Sequence, residues 1–260
     1  MDDCQIPHKS YKKHRFVFIA GPHRSGTSLV HRILREHPDI SGFHDTGVPE
    51  DEGQHLQSVL PRNYPAGEFA MHKDSFMDES HPLVSEENAQ HLFDDWSSYW
   101  DLSKSVLIEK TPQNIVRTRF LQALFQNSSY IVVLRHPLVV ACATARMAKR
   151  TDIDVVLDNV LRAYECFDAD RSHLRSYHIV RYENFVQNSS ASVANIWEFL
   201  NVDSIPLSEH IDSQANTKHI KRWRSAFGWL ERHRIAQQFE PRLNYFGYSI
   251  KHPCKMSSYS

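Results

Sequence analysis

Residues 16–34, FVFIAGPHRSGTSLVHRIL, constrain the fold more than any other stretch of the chain. Phe16, Val17, Phe18, Ile19 and Ala20 form a short unbroken apolar run, the pattern of a strand buried on both faces of a parallel sheet. Gly21 allows the turn that follows, and Pro22 cannot continue a central ladder. Leu29, Ile33 and Leu34 then recur at helical spacing. Between strand and helix lie Arg24, Ser25, Gly26, Thr27 and Ser28. Such a loop aims backbone N–H groups and a helix dipole at an anion, usually a phosphate.

The nucleotide-hydrolase form of this loop is G-x-x-x-x-G-K-[ST]. Gly21, Gly26 and Ser28 fall on three of its fixed positions, but Thr27 stands where the lysine belongs, and the positive charge sits earlier, on Arg24. A loop without that lysine is poorly equipped to grip a β/γ-phosphate pair, which disfavours an ATPase or GTPase. A second apolar run, YIVVLR at residues 130–135, ends at His136-Pro137. A P-loop hydrolase usually carries a Mg²⁺-binding Asp at such a strand end. Here the strand ends in Arg135, whose planar guanidinium can fork onto a phosphate. One anion at the loop and another at Arg135 imply a ligand with two separated phosphates.

Taken in order, these motifs resemble those of the sulfotransferases that use 3′-phosphoadenosine 5′-phosphosulfate (PAPS). GPHRSGTS is similar to their 5′-phosphosulfate loop, in the Arg form of tyrosylprotein sulfotransferases and related bacterial and plant enzymes. YIVVLRHP resembles their 3′-phosphate strand, Lys110 in IEKTPQN matches the lysine after the intervening strand, and Tyr182 in VRYENF matches the adenine-side Tyr-Glu motif. The resemblance runs from residue 16 to about residue 185. It implies that His23, Arg24, Ser25, Gly26, Thr27 and Ser28 hold the donor, with Arg24 close to the transfer. It further implies that Lys110 serves the bridging oxygen, that Arg135 holds the 3′-phosphate, that adenosine 3′,5′-bisphosphate (PAP) is the product, and that no metal takes part. The family often adds a hydroxyl eight residues after that Arg; here the position is Ala143, with Thr144 one further on. Thr144, or the basic segment with Lys218, Lys221, Arg222 and Arg224, is therefore the candidate for the second 3′-phosphate contact.

Many cytosolic sulfotransferases place a His two residues after the Lys, but Lys110-Thr111-Pro112 lacks it. Counted without gaps, Asp45-Thr46 falls where tyrosylprotein sulfotransferases carry a catalytic Glu followed by Thr. Asp45 is thus the expected base, with His44 and His55 as alternates. Pro49 followed by Glu50, Asp51 and Glu52 suits a solvated helix start. If several of Asp45, Glu50, Asp51 and Glu52 line the site, a cationic acceptor is favoured.

A formal net charge of −1 and a pI near 7 leave no global basic field for nucleic acid. No apolar run is long enough to span a membrane. The four cysteines, Cys4, Cys142, Cys166 and Cys254, lack C-x-x-C spacing and suit reduced thiols. Seventeen histidines include no H-E-x-x-H or Cys₂His₂ pattern, so no metal site is expected. With no secretory signal, a cytoplasmic location and a small-molecule acceptor bearing a hydroxyl or amine are expected. The other readings are a P-loop kinase and a non-catalytic nucleotide-binding protein.

Strands expected at residues 16–20, 39–43, 106–109, 130–135 and 178–180 alternate with helices at 85–99, 112–125, 138–149, 154–173, 192–200 and 225–239. Residues 60–83, dotted with Pro and Gly, suit an irregular insertion over the acceptor site. The pattern predicts an α/β, three-layer P-loop-type fold with a mostly parallel central sheet flanked by helices. A single domain over 1–260 is expected, with loose ends at 1–14 and 251–260.

Overall fold

The computed structural model describes residues 10–61, 64–208, 211, 218, 223 and 227–252. Five strands, β1 (Arg15–Ala20), β2 (Ile40–Gly42), β3 (Val106–Lys110), β4 (Ser128–Leu134) and β5 (Tyr177–Arg181), form one parallel sheet in the order β2-β3-β1-β4-β5. Around it lie α1 (Thr27–Leu34), α2 (Glu86–Ser97), α3 (Thr118–Leu124), α4 (Pro137–Met147), α5 (Ile153–Asp170), α6 (Tyr182–Gln187), α7 (Ser189–Leu200) and α8 (Trp229–Tyr245). This is the expected α/β fold.

Side-chain alternation along β1 builds the layers. Phe16, Phe18 and Ala20 enter a core shared with α2, α3, α4 and α5, while Val17 and Ile19 enter a second core with α1, α6 and α7. Each fully buried large apolar side chain contributes about 1.5–3 kcal/mol over its exposed form. Phe16 packs on Phe125 with ring centroids 4.6 Å apart, which joins β1 to the end of α3.

The connection from β1 leads towards β2 on one side, and that from β4 leads to β5 on the other. The winding therefore reverses between β1 and β4, and a crevice opens at their carboxyl ends, where such sheets bind ligands. The glycine-rich loop follows β1, Lys110 ends β3, Arg135 follows β4 and Tyr182 follows β5. All four lie on the same sheet edge.

Three local expectations change. The acids after Pro49 do not start an α-helix: Glu50 at φ 54° and Asp51 at φ 49° lie in a short 3₁₀ turn, Pro49–Asp51, and Glu52 is extended between it and a second turn, Gly53–His55. The Asp51 carboxylate accepts the Thr46 N–H at 3.0 Å and the Thr46 hydroxyl at 2.7 Å, which folds the chain back. The helix expected over 112–125 breaks at the buried Arg117, whose Nη2 donates to Gln113 Oε1 at 3.2 Å. The last helix runs on to Tyr245 with Pro241 inside it.

The insertion is docked, not loose. Ala70 N–H donates to Asn159 Oδ1 on α5 at 2.7 Å, and Gln113 Nε2 donates to the Tyr64 carbonyl at 3.3 Å. Cys142 and Cys166 are free, and burial pushes both thiols up to about 12. Cys4, Cys254, Lys221, Arg222 and Arg224 lie outside the described residues, and Lys218 is exposed. Among the described residues no helix is long and apolar enough to cross a membrane.

Candidate active site

The loop after β1 closes through its own backbone: Ser25 N–H donates to the Pro22 carbonyl at 3.0 Å, and Arg24 takes a left-handed conformation at φ 68°. Gly26 caps α1 at φ 113°, a region that L side chains rarely occupy. A Cβ built there would lie 2.4 Å from the Tyr182 ring. Tyr182 thus packs directly on the loop backbone, and only glycine fits beneath it.

Arg135 stacks on the Tyr182 ring. Its guanidinium carbon is 4.1 Å from the Tyr182 ring centroid, and Nη1 donates to the Arg24 carbonyl at 2.9 Å. Its backbone is pinned by Tyr164, whose hydroxyl accepts the Arg135 N–H at 2.8 Å and donates to the Arg135 carbonyl at 2.7 Å. Burial draws the Arg135 pKa down. The loop and the strand-end arginine are therefore one structure, stacked through Tyr182.

A cleft of about 310 Å³ opens here. His23, Arg24, Gly26, Thr27 and Ser28 of the loop line it, together with Arg135 and Tyr182. Arg32, Glu50 and Glu52 complete the charged lining. Burial, and next the charge of Lys110, push His23 down to about 4, so its imidazole is neutral at pH 7.

Lys110 is fully buried, and its Nζ donates to Glu52 Oε1 at 3.1 Å. Gln54 Nε2 donates to the second Glu52 oxygen at 2.5 Å, and His55 Nε2 lies 3.7 Å from that oxygen. Burial raises the Glu52 pKa, opposed by Lys110. The dominant direction is upward, because the carboxylate has left water for an enclosed site.

The other expected residues lie elsewhere. The Asp45 side chain is 98% exposed and lies 3.3 Å from its neighbour His44; neither lines the cleft. Ser25 is buried beneath the loop. The Thr144 hydroxyl donates to the His23 carbonyl at 3.1 Å, so it braces the loop from α4 and does not face the cleft.

Sequence patterning places Glu52 only among the acids that could line the site, within a run that also suits a solvated helix start, and does not single it out as the partner of Lys110. Glu109 is not singled out either. It is buried at the end of β3 and bonded to Thr111, Asn114 and Gly53. No spacing motif marks either one.

Loop amides at a helix N-terminus, a glycine that only a bare backbone can satisfy, and Arg24 and Arg135 on one cleft suit a ligand with two anionic groups; Lys110 is buried behind Glu52, which lines that cleft. The model of the Sulfotransferase family matches residues 17–206. The sulfotransferase domain of the Synechococcus PCC 7002 olefin synthase is similar in fold, at 18% identity and TM-score 0.51, covering 88% of this chain and 95% of that one. Sulfotransferase STF1 from Mycobacterium tuberculosis H37Rv is similar at 15% identity and TM-score 0.50, covering 82% of this chain and 73% of that one. No curated protein matches the chain in sequence. With nearly three-quarters of its length matched, the chain belongs to the sulfotransferase family.

Proposed function

We propose that the protein transfers a sulfuryl group from PAPS to a hydroxyl or amine of a small-molecule acceptor. The observation that carries this reading is the linkage of the loop to Arg135 through Tyr182, which sets two anion-binding elements on one cleft.

Bound there, PAPS supplies a sulfuryl group whose S–O bond to the 5′-phosphate breaks as the acceptor oxygen or nitrogen bonds to sulfur. The loop N–H groups with Arg24, Thr27 and Ser28 hold the 5′ end, and Arg135 with Tyr182 holds the 3′-phosphate and base. Lys110 neutralises the charge left on the bridging oxygen. Glu52 takes the acceptor proton, so the released proton has a defined destination. A carboxylate whose pKa is raised by burial is a stronger base than one in water. Asp45, exposed and outside the cleft, is not assigned this role. Glu50, exposed beside the cleft, favours an acceptor carrying an amine.

Calorimetric titration with PAP and with ATP-Mg²⁺, on wild type and Arg135→Ala, tests the donor site. Preferential PAP binding that collapses in the variant supports it; preference for ATP-Mg²⁺ supports a kinase instead. Radiolabelled PAPS with a panel of amino alcohols, neutral alcohols and phenols then tests transfer. A preference for neutral alcohols would remove the role given to Glu50.

A further inference from the structure

We infer that Glu109 is a positioning residue, which clamps the chain around Glu52 so that the Glu52 carboxylate meets Lys110. The inference rests on the roles given above to Glu52 and Lys110.

Glu109 and Lys110 are successive residues of β3, so their side chains leave opposite faces of the sheet. Glu109 pairs in register with Phe18, which belongs to the α2-side core, and Lys110 with Ile19, which belongs to the α1-side core. Residues 52–54 cross the end of this strand. On one face the Glu52 side chain reaches Lys110. On the other, Glu109 Oε1 accepts the Gly53 N–H at 3.1 Å and the Thr111 hydroxyl at 2.5 Å. The same Thr111 oxygen accepts the Gln54 N–H at 3.0 Å.

The clamp is closed by its neighbours. Asn114 Nδ2 donates to Glu109 Oε2 at 2.6 Å, and Trp96 Nε1 donates to the Gly53 carbonyl at 3.0 Å. A Cβ built on Gly53 would lie 2.4 Å from Glu109 Oε1, so the close approach needs a residue without a side chain. A buried carboxylate serving only the core would spend its bonds on core groups. Here one of them fixes the backbone next to Glu52 directly and another does so through Thr111. Displacing a reacting group by about 1 Å can cost on the order of 100-fold in rate.

Hydrogen exchange of wild type, Glu109→Ala and Glu109→Gln reads the clamp without reference to turnover. The Gly53 and Gln54 amides should exchange about 10- to 100-fold faster in the Ala variant, with β1 and β4 unchanged. They should stay protected in the Gln variant, whose amide oxygen can still accept the Gly53 N–H. PAP affinity should remain within about twofold while kcat falls by about 10- to 100-fold in Glu109→Ala only. On a Glu52→Gln background the same change should cost nothing further. Continued protection of both amides in Glu109→Ala, or an equal loss on both backgrounds, would overturn the inference. Should Glu109→Ala not fold, Thr111→Val replaces it, with the Gln54 amide as the reporter. If Glu52→Gln and Lys110→Met both turn over normally, the transfer roles fail, while the exchange result still decides whether Glu109 holds this segment.

Discussion

Lys110 Nζ and Glu52 Oε1 meet at 3.1 Å, with the lysine side chain fully buried and the glutamate side chain 7% exposed. Such a pair is held by mutual need. Removing one partner of a buried ion pair leaves an uncompensated charge and costs about 3–5 kcal/mol, whereas removing both can be nearly neutral. Lys110→Met should therefore lower the urea-unfolding free energy by a few kcal/mol, at about 3. Lys110→Met combined with Glu52→Gln should recover most of that loss. Additive losses would mean that the two charges do not share one enclosed site.

Placing the proton acceptor at Glu52 separates it from Asp45 in a simple comparison. Glu52→Gln should lower kcat by about 10²- to 10⁴-fold, the usual contribution of a positioned base. PAP affinity should change little, because the loop and Arg135 remain in place. Asp45→Asn should leave both quantities near wild type. The reverse pattern would return the role to Asp45.

What the sequence revealed is what it holds contiguously. The apolar run of β1, the loop from Gly21 to Ser28, Lys110 beside a strand end and Arg135 at another each carry their chemistry within a few residues. The parallel sheet followed from the alternation of such runs with helical segments. Glu52 was not legible, because its role comes from a crossing that local pattern does not encode. The two hydrogen bonds from Thr46 to Asp51 turn the chain, so that Glu52, seven positions beyond Asp45, arrives at Lys110. Thr144 shows the same limit: it is the hydroxyl nearest the position, Ala143, where the family resemblance expects a phosphate contact, and its own hydroxyl donates to the His23 carbonyl.

Gly26 offers a test of the loop that does not depend on any acceptor. Alanine there meets the Tyr182 ring at 2.4 Å and must hold φ near 113°. Gly26→Ala should lower PAP affinity by more than about 10-fold, through the clash and through backbone strain of about 1–3 kcal/mol. Adding Tyr182→Ala removes the clash but not the strain. The double variant should fold more stably than Gly26→Ala alone and still bind PAP weakly, having lost the platform on which Arg135 rests. Full recovery of PAP affinity would show that Tyr182 contributes nothing to the site.

Glu109 gives stability a distinctive pH dependence. Burial raises its pKa from 4.5 to about 7, and the Glu52 charge adds to this, while Thr111, Asn114 and Lys110 oppose it. The folded state therefore holds this proton more tightly than the unfolded chain does. The resulting stabilisation is complete below about pH 4.5 and is lost as pH rises to about 7. Two buried histidines act in the opposite sense: His23 and His31 are lowered from 6.5 to about 4 and about 3. They stay neutral in the fold, so their contribution is present above pH 6.5 and falls as the solution is acidified. The wild-type curve mixes both slopes. Subtracting it from that of Glu109→Gln isolates the carboxyl, since the histidines are common to both. Between pH 5 and pH 8 the variant should gain on wild type by on the order of 2–3 kcal/mol, read from urea melts at fixed ionic strength. Parallel curves would mean that the Glu109 proton is held no more tightly in the fold than in the unfolded chain. That result would leave its hydrogen bonds with Gly53, Thr111 and Asn114 as its contribution.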